Sequence, residues 1–218
     1  MTIFEQLQAF TPFNEQEASD RRLMLQYAGL FSDLLTRDNE MAHLTASCWI
    51  VNPDKTKVLL AYHNIYDSWA WLGGHADGEA DLLAVALKEA NEESGVTARP
   101  VLRDIFSVEI LGVPGHVKRG KYVSSHLHLN VTYLLEADEE QALHEKPDEN
   151  SGVRWFALRD VVPSTREPEM RVVYQKLMDS ATSCHKRNVC TLPLKRENAP
   201  GRPGRVGFYA VACWITGR

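Results

Sequence analysis

The 218-residue chain is poor in the features that mark secreted, membrane-spanning or nucleic-acid-binding proteins. Of its four cysteines only Cys48 lies before residue 183, so that part holds no disulfide framework and no close cysteine pair for redox chemistry. Apolar runs are short, as in Val58 to Tyr62, against the ~20 residues a helix needs to cross a bilayer. Met1 to Phe10 includes Glu5 and no basic stretch leading into an apolar one, so no secretory signal is expected and the expected compartment is the cytoplasm. Basic excess is missing as well. Lys and Arg number 24 against 29 Asp and Glu, a formal net charge of -5, and nothing in that balance suits the DNA or RNA backbone. What remains, 44% apolar and 24% charged, is the composition of a water-soluble protein with one full core.

The totals conceal a break near residue 183. Ser183 to Arg218 holds seven basic residues against Glu197 alone, leaving 17 basic and 28 acidic residues, a net of -11, in the part before it. Cys184, Cys190 and Cys213 also fall in this tail, with three prolines, four glycines and neither helical nor alternating periodicity. A small metal knuckle from Cys184, His185 and Cys190 lacks the paired spacing of a zinc site. A poorly packed extension, or residues translated from beyond the natural end of the gene, is the expectation from composition. The chain therefore divides into a helical extension packed on the core over 1–40, a main domain over 41–182 and a basic tail over 183–218.

Within the first two parts, Asn14 with Glu15 and Glu17 opens a helical pattern in which Leu23, Tyr27, Leu30, Phe31, Leu34 and Leu35 recur at three- and four-residue intervals. Leu44 to Val51 and Lys57 to His63 predict an antiparallel pair across the Asn52-Pro53-Asp54 turn. Trp69 to Leu72 predicts a strand entering Gly73-Gly74. A helix follows with Leu83, Ala86, Leu87 and Ala90 on one stripe, closed by Gly95. Strands over Val101 to Leu111, Tyr122 to Glu136 and Val153 to Phe156, then a helix over Glu167 to Ser180, complete an α/β pattern of a mixed sheet between helical layers.

Chemistry concentrates on the central helix. Glu89, Glu92 and Glu93 crowd its last turns, where like charges repel and the helix dipole disfavours anions. A solvated face is the plain reading of a Glu-rich helix. Here no Lys or Arg follows the glutamates four residues on, and a hard divalent cation such as Mg²⁺ would offset both penalties. Gly73 and Gly74 would let a backbone carbonyl or a ligand approach closely.

From Gly74-His75-Ala76-Asp77-Gly78-Glu79-Ala80 through Lys88-Glu89-Ala90-Asn91-Glu92-Glu93-Ser94-Gly95-Val96, the chain resembles the Nudix hydrolase family, matching the spacing of that family's box without insertion. The likeness extends from Leu44 to Ser180. Two positions depart from it: the family's first glutamate is Ala80, with Glu79 beside it, and its arginine is Lys88. The resemblance implies a Nudix-type α/β/α sandwich and a Mg²⁺- or Mn²⁺-dependent hydrolase that cleaves a diphosphate linkage in a nucleoside diphosphate joined to another moiety. Glu89, Glu92, Glu93 and the Gly73 carbonyl would hold the metal. Lys88 and Glu79 would orient the ligands, and Glu93, or Glu149 in the loop Lys146 to Asn150, would take a proton from water. The partner would be a small nucleotide or other diphosphate, with neither membrane nor nucleic acid; a homodimer is compatible. Two alternatives stand beside this: a nucleotide-sensing or binding protein of the same fold with weak catalysis, for which Ala80 and Lys88 argue, and an enzyme like a prenyl-diphosphate isomerase, for which Cys48 in an apolar strand is poorly suited.

Further residues are candidates for substrate contact. His126, His128, Asn130 and Thr132 alternate onto one strand face, which predicts a cleft-lining surface. A histidine-bound zinc there is not expected, since no third ligand is spaced for it. Arg119, with Lys118 and Lys121 in a loop, could steer phosphate, and Trp71, like Tyr66 and Trp69, could stack on a base or pack in the core.

Overall fold

The computed structural model describes residues 1–118 and 120–187, without the side chains of Lys118 and 183–187. The tail expected from Ser183 is helical as far as Arg187; its remainder, Arg119 and the side chains of the suggested metal knuckle lie outside the described residues.

Two helices lead, α1 (Ile3–Ala9) and α2 (Glu15–Leu30). Thr2 and Glu5 form a reciprocal cap on the first, and the Asn14 side chain accepts the Glu17 amide at the start of the second. Strands β1 (Ala42–Val51), β2 (Lys57–His63), β3 (Ser68–Ala70) and β4 (Leu72–His75) precede α3 (Leu82–Ser94). Then come β5 (Arg99–Pro100), β6 (Ser107–Val113), β7 (His116–Lys118), β8 (Lys121–Val123), β9 (His126–Glu136) and β10 (Asn150–Ala157), and finally α4 (Leu158–Ser164) and α5 (Pro168–Arg187).

The main sheet is mixed, in the order β10-β2-β1-β9-β5, with β3 paired to β2, β4 to β1 and β6 to β9. Its centre is the parallel pair β1 and β9, in register from Ala42 opposite Leu127 to Val51 opposite Glu136; the other pairings are antiparallel. All ten residues of β1 are buried, as expected of a strand covered on both faces. Alternation sends Leu44, Ala46, Cys48, Ile50, Leu129, Val131 and Tyr133 to one face, against Leu7, Met24, Leu82, Ala86 and Ala90 of α1, α2 and α3. Trp49, Val51 and Leu134 go to the other, against Val161, Tyr174 and Leu177 of α4 and α5. Burial of each such Leu or Val side chain contributes about 1.5–3 kcal/mol. The result is the expected α/β/α sandwich.

Local departures from the sequence expectation have visible causes. Helix α2 stops at Leu30 because Phe31 turns extended; Leu34 still enters the core, from a loop whose Leu34 carbonyl accepts the Leu44 amide at 2.7 Å. The expected Trp69 to Leu72 strand breaks at Trp71, whose amide donates to the Tyr174 hydroxyl at 3.0 Å while the chain changes partner from β2 to β1. Of the expected Val101 to Leu111 strand only Ser107 onward is strand, within β6: the Val101 and Phe106 amides reach the nearby carbonyls of Leu134 and Thr132, so the residues between them bulge out of the ladder. Tyr122 to Glu136 divides as well, since β8 pairs with β7 in a separate hairpin around Gly120 at φ 77°.

Candidate active site

Helix α3 is fixed at both ends by its own sequence. Asp81 accepts the Ala84 amide at 3.1 Å, and Gly95 takes φ 82°, a left-handed turn that suits glycine, and donates to the Asn91 carbonyl at 2.8 Å. With Leu82, Ala86 and Ala90 buried, Glu89 and Glu93, one turn apart, face the glycine pair of β4. A Cβ on Gly74 would stand 2.6 Å from the Glu89 carboxylate, so this carboxylate occupies the space that a side chain would fill. The Gly73 amide points to Glu93 Oε1 at 3.4 Å.

Glu149 joins these two from the loop before β10. Carboxylate oxygens of Glu89, Glu93 and Glu149 all lie within 4.8 Å of one another. Glu93 is 8% exposed, and its carboxyl is pushed up to about 8, first by burial, then by the charge of Glu89, with Glu149 adding to it and the Gly73 amide and Lys146 opposing. Three carboxylates at this separation and depth fit a hard divalent cation, which would remove the repulsion that raises Glu93.

Two residues that the sequence reading did not single out hold the loop. Asn150, buried, donates from its side chain to the Glu93 carbonyl at 3.0 Å and accepts the Lys146 amide at 3.1 Å, tying the loop to the end of α3. Lys146 lies 3.1 Å from Glu149 and 3.6 Å from Glu92 and so brings a positive charge to the rim. A lysine and an asparagine within an acidic loop were the available signal.

The other expected site residues divide. Glu92 is not drawn into the carboxylate group; it pairs with Lys88 at 3.2 Å and with Lys146. Lys88 also reaches Glu89 at 3.4 Å, where an orienting cation was expected. Glu79 is exposed and accepts the Asp81 amide at 2.9 Å, so it braces the entrance of α3 rather than the carboxylates. Trp71 is half-buried and packs edge-on against Tyr174 at 5.5 Å. Cys48 is buried, donates to the Leu72 carbonyl at 3.3 Å and has its thiol pKa driven up by burial and by Glu93 and Glu89, which makes it a poor nucleophile.

His126 and His128 lie on the opposite face of the sheet from α3, beside two histidines from other strands. His43 pairs with His128 across β1 and β9, and His75 lies opposite Thr45 across β4 and β1. The expectation that no third histidine reaches this strand is thus corrected, because β1 and β4 supply two that are distant in sequence. His128 is pushed down to about 2 by burial and by His75, His43, His126 and His116, and burial likewise lowers His43 against the opposing pull of the Asn39 carbonyl. Asn130 and Thr132, further along β9, are buried rather than cleft-lining: Asn130 accepts from Thr45 and Ser47 and donates to Glu109, to which Thr132 also donates.

The α/β/α sandwich thus aims clustered carboxylates of one helix at the glycine pair of β4, an arrangement able to hold a hard cation. The chain belongs to the Nudix family: the model of the NUDIX domain matches residues 41–177, which makes the protein a Nudix-type pyrophosphohydrolase. Solved structures similar to it include a Nudix-family hydrolase from Clostridium perfringens, 20% identical, covering 63% of this chain and 96% of that one with a TM-score of 0.46. An Ap4A hydrolase from C. elegans is 18% identical over 66% of this chain and 97% of its own, with a TM-score of 0.48. The Nudix hydrolase RenU from M. smegmatis is 17% identical over 65% and 86%, with a TM-score of 0.47. No curated protein matches the sequence.

Proposed function

We propose that the protein hydrolyses the diphosphate linkage of a nucleoside diphosphate joined to a second moiety, with Mg²⁺ or Mn²⁺ held by Glu89, Glu93 and Glu149, by the Gly73 carbonyl, and by Glu92 once it leaves its lysines. The observation that carries this reading is the approach of the carboxylates of Glu89, Glu93 and Glu149 to within 4.8 Å beside a strand whose glycine leaves room for one of them. When bound, such a cation polarises a phosphoryl oxygen and acidifies water.

The chain's own groups then divide the work. Water oxygen bonds to one phosphorus, the bridging P–O bond breaks, and the departing phosphate carries away the electron pair. Glu93 takes the proton of the attacking water, with Glu149 next in order, as one carboxylate of the cluster must. Lys146 and Lys88 stand at the rim, where cations attract the polyanionic substrate and hold the outer carboxylates. Arg119 is the proposed contact to the remainder of the substrate; Trp71, packed on Tyr174 of α5 across the sheet from the carboxylates, is not kept in that role. This chemistry suits a small-molecule nucleotide in the cytoplasm.

The test is chromatographic detection of the nucleotide products formed from nucleotide sugars, dinucleoside polyphosphates and damaged nucleoside triphosphates, with and without Mg²⁺. Wild-type turnover should need the metal, and Glu93→Gln should lower it by about 100-fold or more with an unchanged circular dichroism spectrum. Equal turnover in the folded variant would sink the assignment.

A further inference from the structure

The histidines of the opposite face form a second, separate arrangement. Ring centroids of His43 lie 5.1 Å from His75, 4.9 Å from His126 and 5.1 Å from His128. One ligand nitrogen from each of His43, His75 and His128 falls within 4.8 Å of the other two.

The geometry points to a metal site in which His43, His75 and His128 bind a borderline divalent cation of the zinc class, with His126 closing it from the start of β9. Neutral imidazole nitrogens suit zinc, cobalt and nickel far better than Mg²⁺, which prefers oxygen. The tautomers are set accordingly. His43 Nδ1 lies 3.1 Å from the Asn39 carbonyl and His126 Nδ1 2.8 Å from that of Ser124. A carbonyl can only accept, so each Nδ1 carries the proton and each Nε2 keeps its lone pair, the arrangement usual for metal-binding histidines.

His43 is 4% exposed, and its Nε2 has no hydrogen-bond partner among the described residues. A buried, unsatisfied acceptor is costly unless something binds it. His126 Nε2 stands 3.3 Å from His128 Nε2. Two nitrogens on one tetrahedral zinc, each at ~2.0–2.1 Å from the ion, stand about 3.4 Å apart. The ligands come from three paired strands, β1, β4 and β9, so their backbones are held by the sheet before any ion arrives. The carboxylate site lies across the sheet and uses none of these residues, so the proposal does not rest on the hydrolase reading.

The test uses the full chain, stripped with chelator and titrated with Co²⁺ in excess Mg²⁺. A tetrahedral nitrogen site should give visible Co²⁺ absorption that saturates near one equivalent and is displaced by Zn²⁺. His128→Asn and His75→Asn should each weaken Co²⁺ binding by about 100-fold or more, beyond the 10–100-fold typical of losing a group that merely supports a ligand. Glu89→Gln/Glu93→Gln should bind Co²⁺ as wild type does, which separates this site from the other. Absence of the absorption in the folded wild type, or unchanged affinity in both folded histidine variants, would overturn the proposal. If one variant fails to fold by circular dichroism, the other decides.

Discussion

Gly73 and Gly74 are adjacent and chemically identical, yet the atoms around them differ. A Cβ on Gly73 would meet the Ala46 carbonyl at 2.5 Å and the Ser47 Cα at 2.7 Å, backbone that cannot move without disturbing the sheet. The three atoms nearest a Cβ on Gly74 all belong to the Glu89 side chain, which can rotate away. Gly73→Ala should therefore cost about 1–3 kcal/mol of stability. Gly74→Ala should leave stability within about 1 kcal/mol and lower Mn²⁺ affinity at least ~10-fold, because its cost falls on a carboxylate that must be in place. Urea denaturation and metal titration of the two variants check this, and the reverse order of effects would contradict the placement of Glu89. At this scale the sequence was informative: the spacing from Gly74 to Glu93 identified the central helix, and Glu149 was named from its loop. Glu92 and Glu79 were not separable from the others, since a spacing reports which helix face a carboxylate occupies and not which cation it pairs with.

Among the elements, α2, β6 and α5 share a buried charge cluster beside their apolar contacts. Lys176 of α5 is 6% exposed and lies 3.1 Å from Glu17 of α2 and 2.7 Å from Glu109 of β6, with the Ser107 hydroxyl at 2.6 and 2.5 Å from the same two carboxylates. A buried lysine between two buried carboxylates adds little over an apolar core, but removing it leaves two unpaired anions. Lys176→Met should destabilise by about 3–5 kcal/mol in urea or thermal unfolding, and a loss under ~1 kcal/mol would show that the carboxylates find water instead. The periodicities predicted most of these elements, including β2 to the residue and the end of α3 at Gly95. They failed where a tertiary bond intervened. Trp71 left the strand ladder for the Tyr174 hydroxyl, more than a hundred residues away, and Leu34 reached the core after its helix had ended.

For the whole molecule, the sheet's central parallel pair divides the chemistry into two faces. One presents the carboxylates of α3 at the glycine pair of β4. The other runs along β9 from His126 and His128 through the polar Asn130 and Thr132 to the apolar Leu134 beneath α5. Alternation in the sequence showed that these β9 residues share a face, but not that His43, 85 residues before His128, would lie beside it; register between distant strands is a property of the folded sheet. Among the described residues no helix is long and apolar enough to cross a membrane. The two faces also predict two metal preferences, oxygen-loving ions at α3 and nitrogen-loving ions at the histidines. Calorimetric titration of Mn²⁺ into the wild type and into Glu89→Gln/Glu93→Gln decides whether the α3 carboxylates hold the metal. Uptake by the wild type that the folded double variant loses is the predicted result; equal uptake by both, or none by either, would contradict it.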